Sequence, residues 1–544
     1  MTLLAFTQFS GIAPRMAPWK LAEGQAQIAK NVRLSARTLK PWKNPLQVAT
    51  VTASGDPSTI YRFGQALVSD TQYWFNWAAD VDVVKGAISG DATERTYFTH
   101  PSLGPRVTNN SLALTGGSGD YPWNSYKLGV PAPTAAPTVS VSGGSGSVIE
   151  SREYVITYVT LLGEEGPPSP VSSVADLRAG DTASLSGLGT SYPAGYSNIS
   201  AKRIYRTLSG SQITQFQFVD EIPVTQDTYT DNKSAAQLQE VIPSATWNPP
   251  PATAFGICQM ANGITMLFDG YDIYVSEAYR PHAYPPANMN STDFKIVGGA
   301  TFGNYAVVCT VGNPYLIVGS DPSSLSCNKV EQPQACVSKR SIVGVGNGVI
   351  YASPDGLVFV DSSGSATVVT ENLITRDDWQ SFNPSTIHAY VWEGRYIGFY
   401  NNGITQAGFV FEPREGDAAI TLIDTYATAG YSDLLQDALY LKVGSAIQKW
   451  HAAGTTMTYD WRSRVNILPK PENLGAAQVL AEAYPVTFNY YADGVLKLTK
   501  TVTSAKGFRL PSGFKPRNVE VEITGTNEVY AAYVASSLAE LGQV

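Results

Sequence analysis

Adjacent carboxylates are residues whose type could do catalytic chemistry. The candidate pairs are Glu164-Glu165 and Asp377-Asp378. Two carboxyl groups that cleave a glycosidic bond stand about 5–10 Å apart across the sugar. Residues adjacent in the sequence do not supply that separation by themselves, so a glycosidase site would need a second carboxylate from elsewhere.

The four histidines, His100, His282, His388 and His451, offer no clearer centre. None lies near another histidine with a carboxylate at the spacing of metal ligands. No P-loop, G-x-S-x-G or H-E-x-x-H motif occurs in a suitable setting. We therefore predict a protein that is not an enzyme, with no catalytic residue, no metal site and no cofactor.

A short segment after a predicted strand carries the strongest candidate contact residues, Glu277, Tyr279, Arg280 and His282. Arg280 follows Glu277 by three positions, and a guanidinium can hold a carboxylate through two hydrogen bonds. Tyrosine offers a flat, stiff contact surface. The segment is therefore interpreted either as a lock within its own chain or as a subunit contact.

A basic cluster lies on a second predicted strand, residues 199–208. At a period of two, Lys202 and Arg206 share a face with Ile204, and Arg203 points the other way. The cluster is interpreted either as a solvated strand face or as a docking patch for an acidic partner.

The elements that must position these residues follow a repeated pattern, which is clearest at residues 262–285. Asn262-Gly263 and Asp269-Gly270 predict turns, and apolar residues alternate between and after them. Similar strand–turn–strand units recur about every 40–50 residues across 255–465, a spacing typical of propeller blades. We predict an all-β fold with a β-propeller body of roughly six blades, the first of them in residues 58–132.

Three further regions surround that body. Residues 1–57 form an N-terminal segment that closes the ring, with a helix suggested over 21–32. Residues 138–247 are predicted to be an inserted β-sandwich of immunoglobulin or fibronectin type, without the Cys…Trp…Cys pattern of antibodies. Residues 466–544 form a C-terminal β module with a hairpin at Asp493-Gly494, paired strands at 519–523 and 529–534, and a helical turn within 535–541. Additional strands are predicted at 65–68 and 111–114.

The composition narrows the class of function. Only 15% of the 544 residues are charged and the net charge is −8, which argues against tight general binding to a nucleic-acid backbone. Four cysteines without a C-x-x-C pair predict free buried thiols, and a Cys327–Cys336 bridge stays open. No signal peptide or membrane span is predicted, so synthesis in a reducing cytoplasm is expected.

The segment Ser276-Glu277-Ala278-Tyr279-Arg280-Pro281-His282-Ala283-Tyr284-Pro285 resembles a motif of the tail nozzle, or tail hub (tail tubular), proteins of short-tailed bacteriophages. The family form has Pro where Ala278 stands and Trp where Tyr284 stands. Further phrases that resemble this family are YLIVGSDP (315–322), QACVSKRS (334–341), YASPDGL (351–357), HAYVWEGRYIGFY (388–400), YATAGY (426–431), FRLP (508–511) and ASSLAEL (535–541).

The resemblance implies a structural virion protein. Such proteins form a ring, usually a hexamer, below the head-to-tail adaptor. The ring is a conduit that passes double-stranded DNA without sequence-specific binding, and tail fibres or spikes attach to it. The implied location is the virion tail, after synthesis in the host bacterial cytoplasm. Residues 80–95 and 290–300 are candidate gate loops. The alternative is a glycan-binding or glycoside-cleaving β-propeller, acting as a receptor-binding or depolymerase protein.

Overall fold

The computed structural model describes residues 2–64, 73–208, 215–413 and 419–542. Strands make up 46% of the chain and helices 6%, so the predicted all-β class is confirmed. The chain divides into two compact units. Unit 1 contains residues 1–79, 307–316 and 329–544, and unit 2 contains residues 80–306 and 317–328.

The strands are short and follow one another closely. Unit 1 begins with β1 (Leu3–Phe6), β2 (Ala26–Lys30), β3 (Val32–Arg33), β4 (Lys40–Pro41), β5 (Leu46–Thr50), β6 (Thr59–Phe63) and β7 (Tyr73–Trp77). Unit 2 contains β8 (Asp82–Lys85), β9 (Thr96–His100), β10 (Gly104–Thr108), β11 (Tyr126–Lys127), β12 (Thr138–Ser142), β13 (Ser145–Arg152), β14 (Tyr154–Thr160), β15 (Ala175–Ala179), β16 (Thr182–Ser186), β17 (Ile199–Thr207), β18 (Phe216–Pro223), β19 (Tyr229–Asp231), β20 (Phe255–Gln259), β21 (Thr265–Asp269), β22 (Asp272–Val275), β23 (Asn290–Ser291) and β24 (Ile296–Phe302).

Three strands follow where the chain passes between the units: β25 (Tyr305–Thr310), β26 (Tyr315–Val318) and β27 (Ser326–Lys329). Unit 1 resumes with β28 (Val343–Val345), β29 (Gly348–Ala352), β30 (Leu357–Asp361), β31 (Ala366–Val368), β32 (His388–Trp392), β33 (Arg395–Asn401), β34 (Gln406–Glu412), β35 (Ala419–Ile423), β36 (Ala429–Asp433), β37 (Ala438–Val443), β38 (Ala446–Lys449), β39 (Tyr459–Ser463), β40 (Asn466–Ile467), β41 (Ala476–Ala481), β42 (Val486–Ala492), β43 (Val495–Val502), β44 (Phe508–Arg509), β45 (Asn518–Gly525) and β46 (Val529–Ala535).

The helices of the described residues are single turns or little more. The α-helices are α1 (Asn110–Leu114), α2 (Arg376–Gln380) and α3 (Leu538–Leu541). The 3-10 turns are Ala235–Gln237, Ala261–Gly263, Pro286–Asn288, Pro322–Ser324, Lys339–Ser341 and Pro384–Thr386. In residues 2–64, 73–208, 215–413 and 419–542, no helix has the length and apolar character needed to cross a membrane.

Unit 2 contains two four-stranded antiparallel sheets, in the orders β11-β10-β9-β8 and β20-β21-β22-β23. The two-residue turn between β21 and β22 places Gly270 at φ 62°, a left-handed conformation that glycine adopts without steric cost. One apolar core joins the two sheets and includes Tyr97, Val107, Ile257, Leu267 and Tyr284.

Residues 138–247 form a part of unit 2 with a core of its own. Its sheets have the orders β12-β16-β19, β13-β15 and β14-β17-β18. All seven residues of β14 are buried. Tyr154, Ile156, Leu177, Leu185 and Ile204 pack together at the centre. Buried and more exposed residues alternate along β15 and β16, so each of these strands buries one face.

Unit 1 joins residues that are distant in the sequence. Its largest sheet has the order β32-β33-β34-β35-β2-β39-β45-β42-β43, with β40 also paired to β45. This sheet continues across the predicted boundary at residue 465. β5 is the fourth strand beside β36, β37 and β38, and β1 pairs with β46. The N-terminal segment is therefore held by strands from the C-terminal half of the chain.

Several local predictions are wrong. The helix suggested over residues 21–32 is replaced by β2, because pairing with β39 and β35 outweighs the helical spacing. The strand predicted at 111–114 is α1, which begins where the Asn109 side chain accepts a hydrogen bond from the Leu112 backbone. The strands at 519–523 and 529–534 do not pair with each other, since β45 lies between β39 and β42 whereas β46 lies between β1 and β41.

Other local predictions are confirmed. The hairpin at Asp493-Gly494 is formed by β42 and β43, and α3 supplies the terminal helical turn. All four cysteines are free, with Cys258, Cys309 and Cys336 buried and Cys327 half-buried. The strand predicted at 65–68 lies outside the described residues.

Candidate functional site at the 276–285 loop

The loop that follows β22 is closed by its own backbone. Glu277 N donates to Ala283 O at 2.9 Å, Arg280 N donates to Glu277 O at 3.1 Å, and Ala283 N donates to Arg280 O at 3.0 Å. Tyr279 sits at the tip with φ 57°, a left-handed conformation that is uncommon for tyrosine. The hydrogen bonds on both sides of Tyr279 hold this conformation.

The loop contacts the segment at the C-terminal end of residues 138–247. The Arg280 guanidinium carbon lies 4.4 Å from the centroid of the Trp247 ring. The His282 ring meets Trp247 edge to face, with centroids 5.8 Å apart. Tyr284 N donates to Asn248 O at 2.9 Å. A cation over an indole face and an edge-to-face ring pair are both attractive, so Trp247 is the anchor of this contact.

This geometry changes the interpretation of the four candidate residues. Glu277 and Arg280 are bridged through their backbones, whereas the Arg280 side chain pairs with an aromatic ring. His282 is buried, and Tyr279 is 52% exposed. Arg280 and His282 both contact Trp247 of the same chain, and the two interpretations of the loop, a lock within the chain and a subunit contact, stay predictions.

Beneath the loop, the buried carboxyl group of Glu164 faces an arginine and a histidine at distances too long for a hydrogen bond. Glu164 Oε1 is 3.9 Å from Arg95 Nη1 and 4.0 Å from His282 Nδ1. Glu164 is 3% exposed, and within the described residues its Oε1 has no hydrogen-bond partner. Arg95 precedes β9, and His282 belongs to the loop. Three separate segments of unit 2 therefore meet at one carboxyl group.

Burial sets the charge of this cluster. It raises the pKa of Glu164 to about 7, and nearby Arg95 opposes that rise. Burial, followed by the charges of Arg280 and Arg95, lowers the pKa of His282 to about 3. Burial also raises the pKa of Tyr97, which the Glu164 charge raises further. A neutral carboxylic acid and a neutral imidazole thus lie side by side near pH 6.

The neighbouring Glu165 has the opposite environment. Its Oε1 accepts hydrogen bonds from the hydroxyls of Thr157 and Tyr205, both at 2.8 Å, and from Ser244 at 3.0 Å. Its Oε2 pairs with Arg203 at 2.8 Å. Both carboxylates are 3% exposed. The side chains of Glu164 and Glu165 are therefore buried in two different environments and do not face one shared cavity.

The second pair of adjacent carboxylates belongs to a helix terminus. Thr375 Oγ1 donates to Asp378 Oδ2 at 2.6 Å, and the Asp378 backbone N donates back to Thr375 Oγ1 at 3.1 Å. Asp377 and Asp378 lie in the first turn of α2, where negative charge is favoured. The contacts with Thr375 account for Asp378, and Asp377 lies in the same first turn.

The predicted docking patch needs correction. Lys202 is fully buried, and its Nζ donates to Leu188 O at 3.0 Å and to Gln226 O at 2.6 Å. Arg206 is 1% exposed and pairs with buried Asp231 at 2.5 Å. The face that they share with Ile204 points into the core of residues 138–247, so a folded chain cannot present it. Arg203 is partly exposed and is already paired with Glu165 and Glu221.

The predicted gate segments are also partly regular strands. β8 occupies Asp82–Lys85, and β23 and β24 occupy much of 290–300. The remaining part of the first segment, around Asp91, is held by Asp91 Oδ1 accepting from Thr93 N at 3.0 Å. These segments are therefore less loop-like than their Gly and Asp content indicates.

The histidines are dispersed in the structure as in the sequence. His388 is buried and its Nε2 contacts Ala427 O at 2.7 Å. His451 Nδ1 accepts from Lys43 N at 2.8 Å. In the part of the chain that the structure describes, no group of three or more His, Cys, Asp or Glu side chains could hold a metal ion.

Two features of the site were not predicted from the sequence: the role of Trp247 and the proximity of Arg95 to Glu164. Trp247 stands before Asn248 and three prolines, and this composition indicated only a linker. The signal was the tryptophan itself, since a large aromatic residue in a proline-rich exit needs an apolar surface to cover it. Arg95 and Glu164 are 69 positions apart in the printed numbering, and no local pattern relates them.

Comparison with known proteins gives no family. No family model matches the chain, and no curated protein matches it. Among solved structures, BBS1N in complex with ARL6DN is 9% identical with a TM-score of 0.30, and the alignment covers 76% of this chain and 99% of that one. PorZ, a surface component of the type-IX secretion system of Porphyromonas gingivalis, is 10% identical with a TM-score of 0.24, over 87% of this chain and 48% of that one.

AztD from Citrobacter koseri is 12% identical with a TM-score of 0.24, and the alignment covers 69% of this chain and 98% of that one. Similarity at these TM-scores carries no argument about this chain. The all-β class rests on its own strands and sheets.

Proposed function

We propose that this chain is a ring-forming tail nozzle protein of a short-tailed bacteriophage. The observation that carries the proposal is the segment 276–285 and the seven further phrases that resemble the nozzle family. The same segment makes a backbone-closed loop anchored on Trp247. If this loop has a specific structural role, members of one family would be expected to share the residues that build it.

We also propose a propeller body of roughly six blades with residues 138–247 as an inserted β-sandwich. Four-stranded antiparallel sheets built from consecutive strands are the usual form of a blade, and both units contain them. The separate core of residues 138–247 supports an insertion. The N-terminal β5, as fourth strand beside β36–β38, is the kind of pairing that closes a propeller ring.

The proposed mechanism is mechanical and electrostatic. A net charge of −8 would let DNA pass a bore without gripping its phosphates. The proposed partners are further copies of this chain, the head-to-tail adaptor, and fibres or spikes. Tyr279, exposed at the tip of a rigid loop, is the residue we assign to a subunit or partner contact.

The alternative, a glycoside-cleaving propeller, draws less support from the carboxylates. Glu164 and Glu165 are buried, and Asp377 and Asp378 belong to the first turn of α2. A saccharide would reach the first pair only if the segments that bury it opened. A glycan-binding surface that needs no carboxylate pair is a separate outcome of the test below.

The test is the oligomeric state of the full-length chain, alone and with portal–adaptor assemblies from the same phage. Mass photometry and negative-stain imaging are expected to show rings, or rings that form on the adaptor. A chain that stays monomeric and never docks to the adaptor would overturn the proposal. Glycan arrays and release of reducing sugar from capsular polysaccharide test the alternative on the same sample.

A matched pair of variants tests the assigned contact. Tyr279→Ala is expected to weaken ring formation or adaptor docking, whereas Tyr271→Ala is expected to leave both unchanged. Tyr271 is 54% exposed, which is close to the exposure of Tyr279, and it belongs to the same unit. Equal assembly of both variants and the wild type would remove Tyr279 from the contact.

A further inference from the structure

Three segments of unit 2 are joined at the Glu164 carboxyl group. Residues 160–166 bring Glu164 from the 138–247 part, the segment before β9 brings Arg95, and the 276–285 loop brings His282. Backbone hydrogen bonds hold the first segment in place, with Thr160 N donating to Glu164 O at 2.9 Å and Gly166 N to Tyr158 O at 3.1 Å. The junction is buried, so any charge formed there alters how the segments pack.

We propose that Glu164, His282 and Arg95 form a proton-operated latch that holds residues 160–166 and the 276–285 loop against the β8–β11 sheet. The latch does not depend on the proposed tail function. It is a property of the interface between residues 138–247 and the sheets that flank them in unit 2.

The charged and titratable groups around the latch define its response. Arg95 and Tyr97 face Glu164 from the β9 side, and Asp91 Oδ2 lies 4.0 Å from Arg95 Nε. His282 faces it from the loop, with Arg280 acting on His282. Behind them, Tyr284 interacts with Tyr97 and Cys258. Arg95 is therefore the cation nearest to Glu164, at 3.9 Å, and Asp91 partly offsets its charge.

The two neutral groups respond to pH in opposite directions. When the latch is closed, Glu164 keeps its proton up to about pH 7. When the latch is open, the solvated carboxyl group would lose its proton near its ordinary pKa of 4.5. Opening thus releases a proton between these values, and rising pH favours opening. When the latch is closed, His282 stays neutral down to about pH 3. When the latch is open, the imidazole would bind a proton below its ordinary pKa of 6.5. Falling pH therefore favours opening through His282.

The two effects cancel where their ranges overlap. From about pH 4.5 to 6.5 the latch is expected to stay equally closed, because opening releases one proton and binds another. Above pH 6.5 only the Glu164 effect acts, and below pH 4.5 only the His282 effect acts. The latch is therefore most closed in weak acid and loosens on both sides.

Hydrogen exchange followed by mass spectrometry on the full chain tests the latch. The quantity compared is the protection factor, corrected for intrinsic exchange, of peptides covering 160–166 and 277–285. The wild type is expected to show a plateau between about pH 4.5 and 6.5. Glu164→Gln removes the carboxyl proton, so its protection is expected to rise with pH through that range, by up to about tenfold for each pH unit.

His282→Gln is expected to give the opposite slope, because only the Glu164 proton is left. Glu165→Gln is the matched control, since it loses the ion pair with Arg203 at the adjacent position and keeps the latch. The protection factors of Glu165→Gln are expected to be lower than those of the wild type by the same factor at every pH, so the shape of the pH profile is unchanged. If either latch variant does not fold, the slope of the other decides.

Opposite slopes in the two variants, together with a wild-type plateau, support the latch. Parallel profiles in wild type, Glu164→Gln and His282→Gln would overturn it. A change that is equal in peptides far from the junction, such as those covering β42 and β43, would also overturn it, because it would report global unfolding.

Discussion

Arg280 stacks its guanidinium on the indole of Trp247, with 4.4 Å between the guanidinium carbon and the ring centroid. This relationship fastens the 276–285 loop to the segment that leaves residues 138–247. Arg280→Ala removes the cation and is expected to cost about 0.5–2 kcal/mol of unfolding free energy. Arg280→Lys keeps a charge without a planar stack and is expected to cost less than the alanine variant. Urea unfolding of the full chain, followed by tryptophan fluorescence, measures the loss of stability in both variants.

Trp247→Ala should be the more damaging variant, because it removes a 7% exposed ring that contacts both Arg280 and His282. A loss of about 3–5 kcal/mol is expected for truncating a buried tryptophan. Trp247→Phe keeps the edge-to-face contact with His282 in part and serves as the control. Equal stability of Trp247→Ala and wild type would show that the loop is held elsewhere.

These contacts show where sequence reasoning succeeds and where it stops. Turns such as Asp269-Gly270 and Asp493-Gly494 were predicted because the chemistry of a tight turn is local. The alternation of Lys202, Ile204 and Arg206 was also correct, but the charges were assigned to the surface. Local periodicity identifies residues that share a face, whereas only the packed sheets decide whether that face is inside.

The sequence did not predict the side-chain partners of the candidate loop. The loop carrying Arg280 and His282 was identified from its sequence, and a carboxylate was expected to pair with the arginine. The partner is Trp247, more than thirty positions earlier in the numbering. Likewise, burial raises the pKa of Glu164, and Arg95 and His282, which lie beside its carboxyl group, come from distant segments. Such pairings arise from topology, and a single sequence does not encode them as a readable pattern.

Glu165 gives a prediction that contrasts with its neighbour. Glu165→Ala leaves Arg203 paired with Glu221 but not with Glu165, and it removes the acceptor of the Tyr205 and Ser244 hydroxyls. Because Arg203 is partly exposed and keeps Glu221, the expected cost is that of the buried hydroxyls left without their acceptor, about 1–3 kcal/mol. Replacing Arg203 and Glu165 together is expected to cost less than the sum of the single changes. Additive losses, measured by urea unfolding in a double-mutant cycle, would contradict the pairing.

The cysteines predict a simple pattern of reactivity. Burial raises the pKa of Cys327 to about 11 and that of Cys258 to about 12, and it also raises that of Cys309. Since the thiolate is the reactive form, these three should react slowly with iodoacetamide in the folded protein. Cys327 is only half-buried and should be modified first. Peptide mapping after timed labelling checks the order, and labelling in urea provides the control in which all four react.

His388 provides a test of acid stability in unit 1. Burial, followed by the charge of Arg340, lowers the pKa of His388 to about 4, and its Nε2 contacts Ala427 O at 2.7 Å. The unfolded chain binds a proton near the ordinary value of 6.5, so between about pH 4 and 6.5 it holds more protons than the folded chain. Stability from this group is therefore complete above pH 6.5 and is lost as the pH falls towards 4. His388→Gln is expected to lower stability at neutral pH and to flatten its decline in acid, as measured by urea midpoints from pH 4 to 7. An unchanged acid slope in His388→Gln, with His100→Gln as the half-buried control, would assign the decline to other groups.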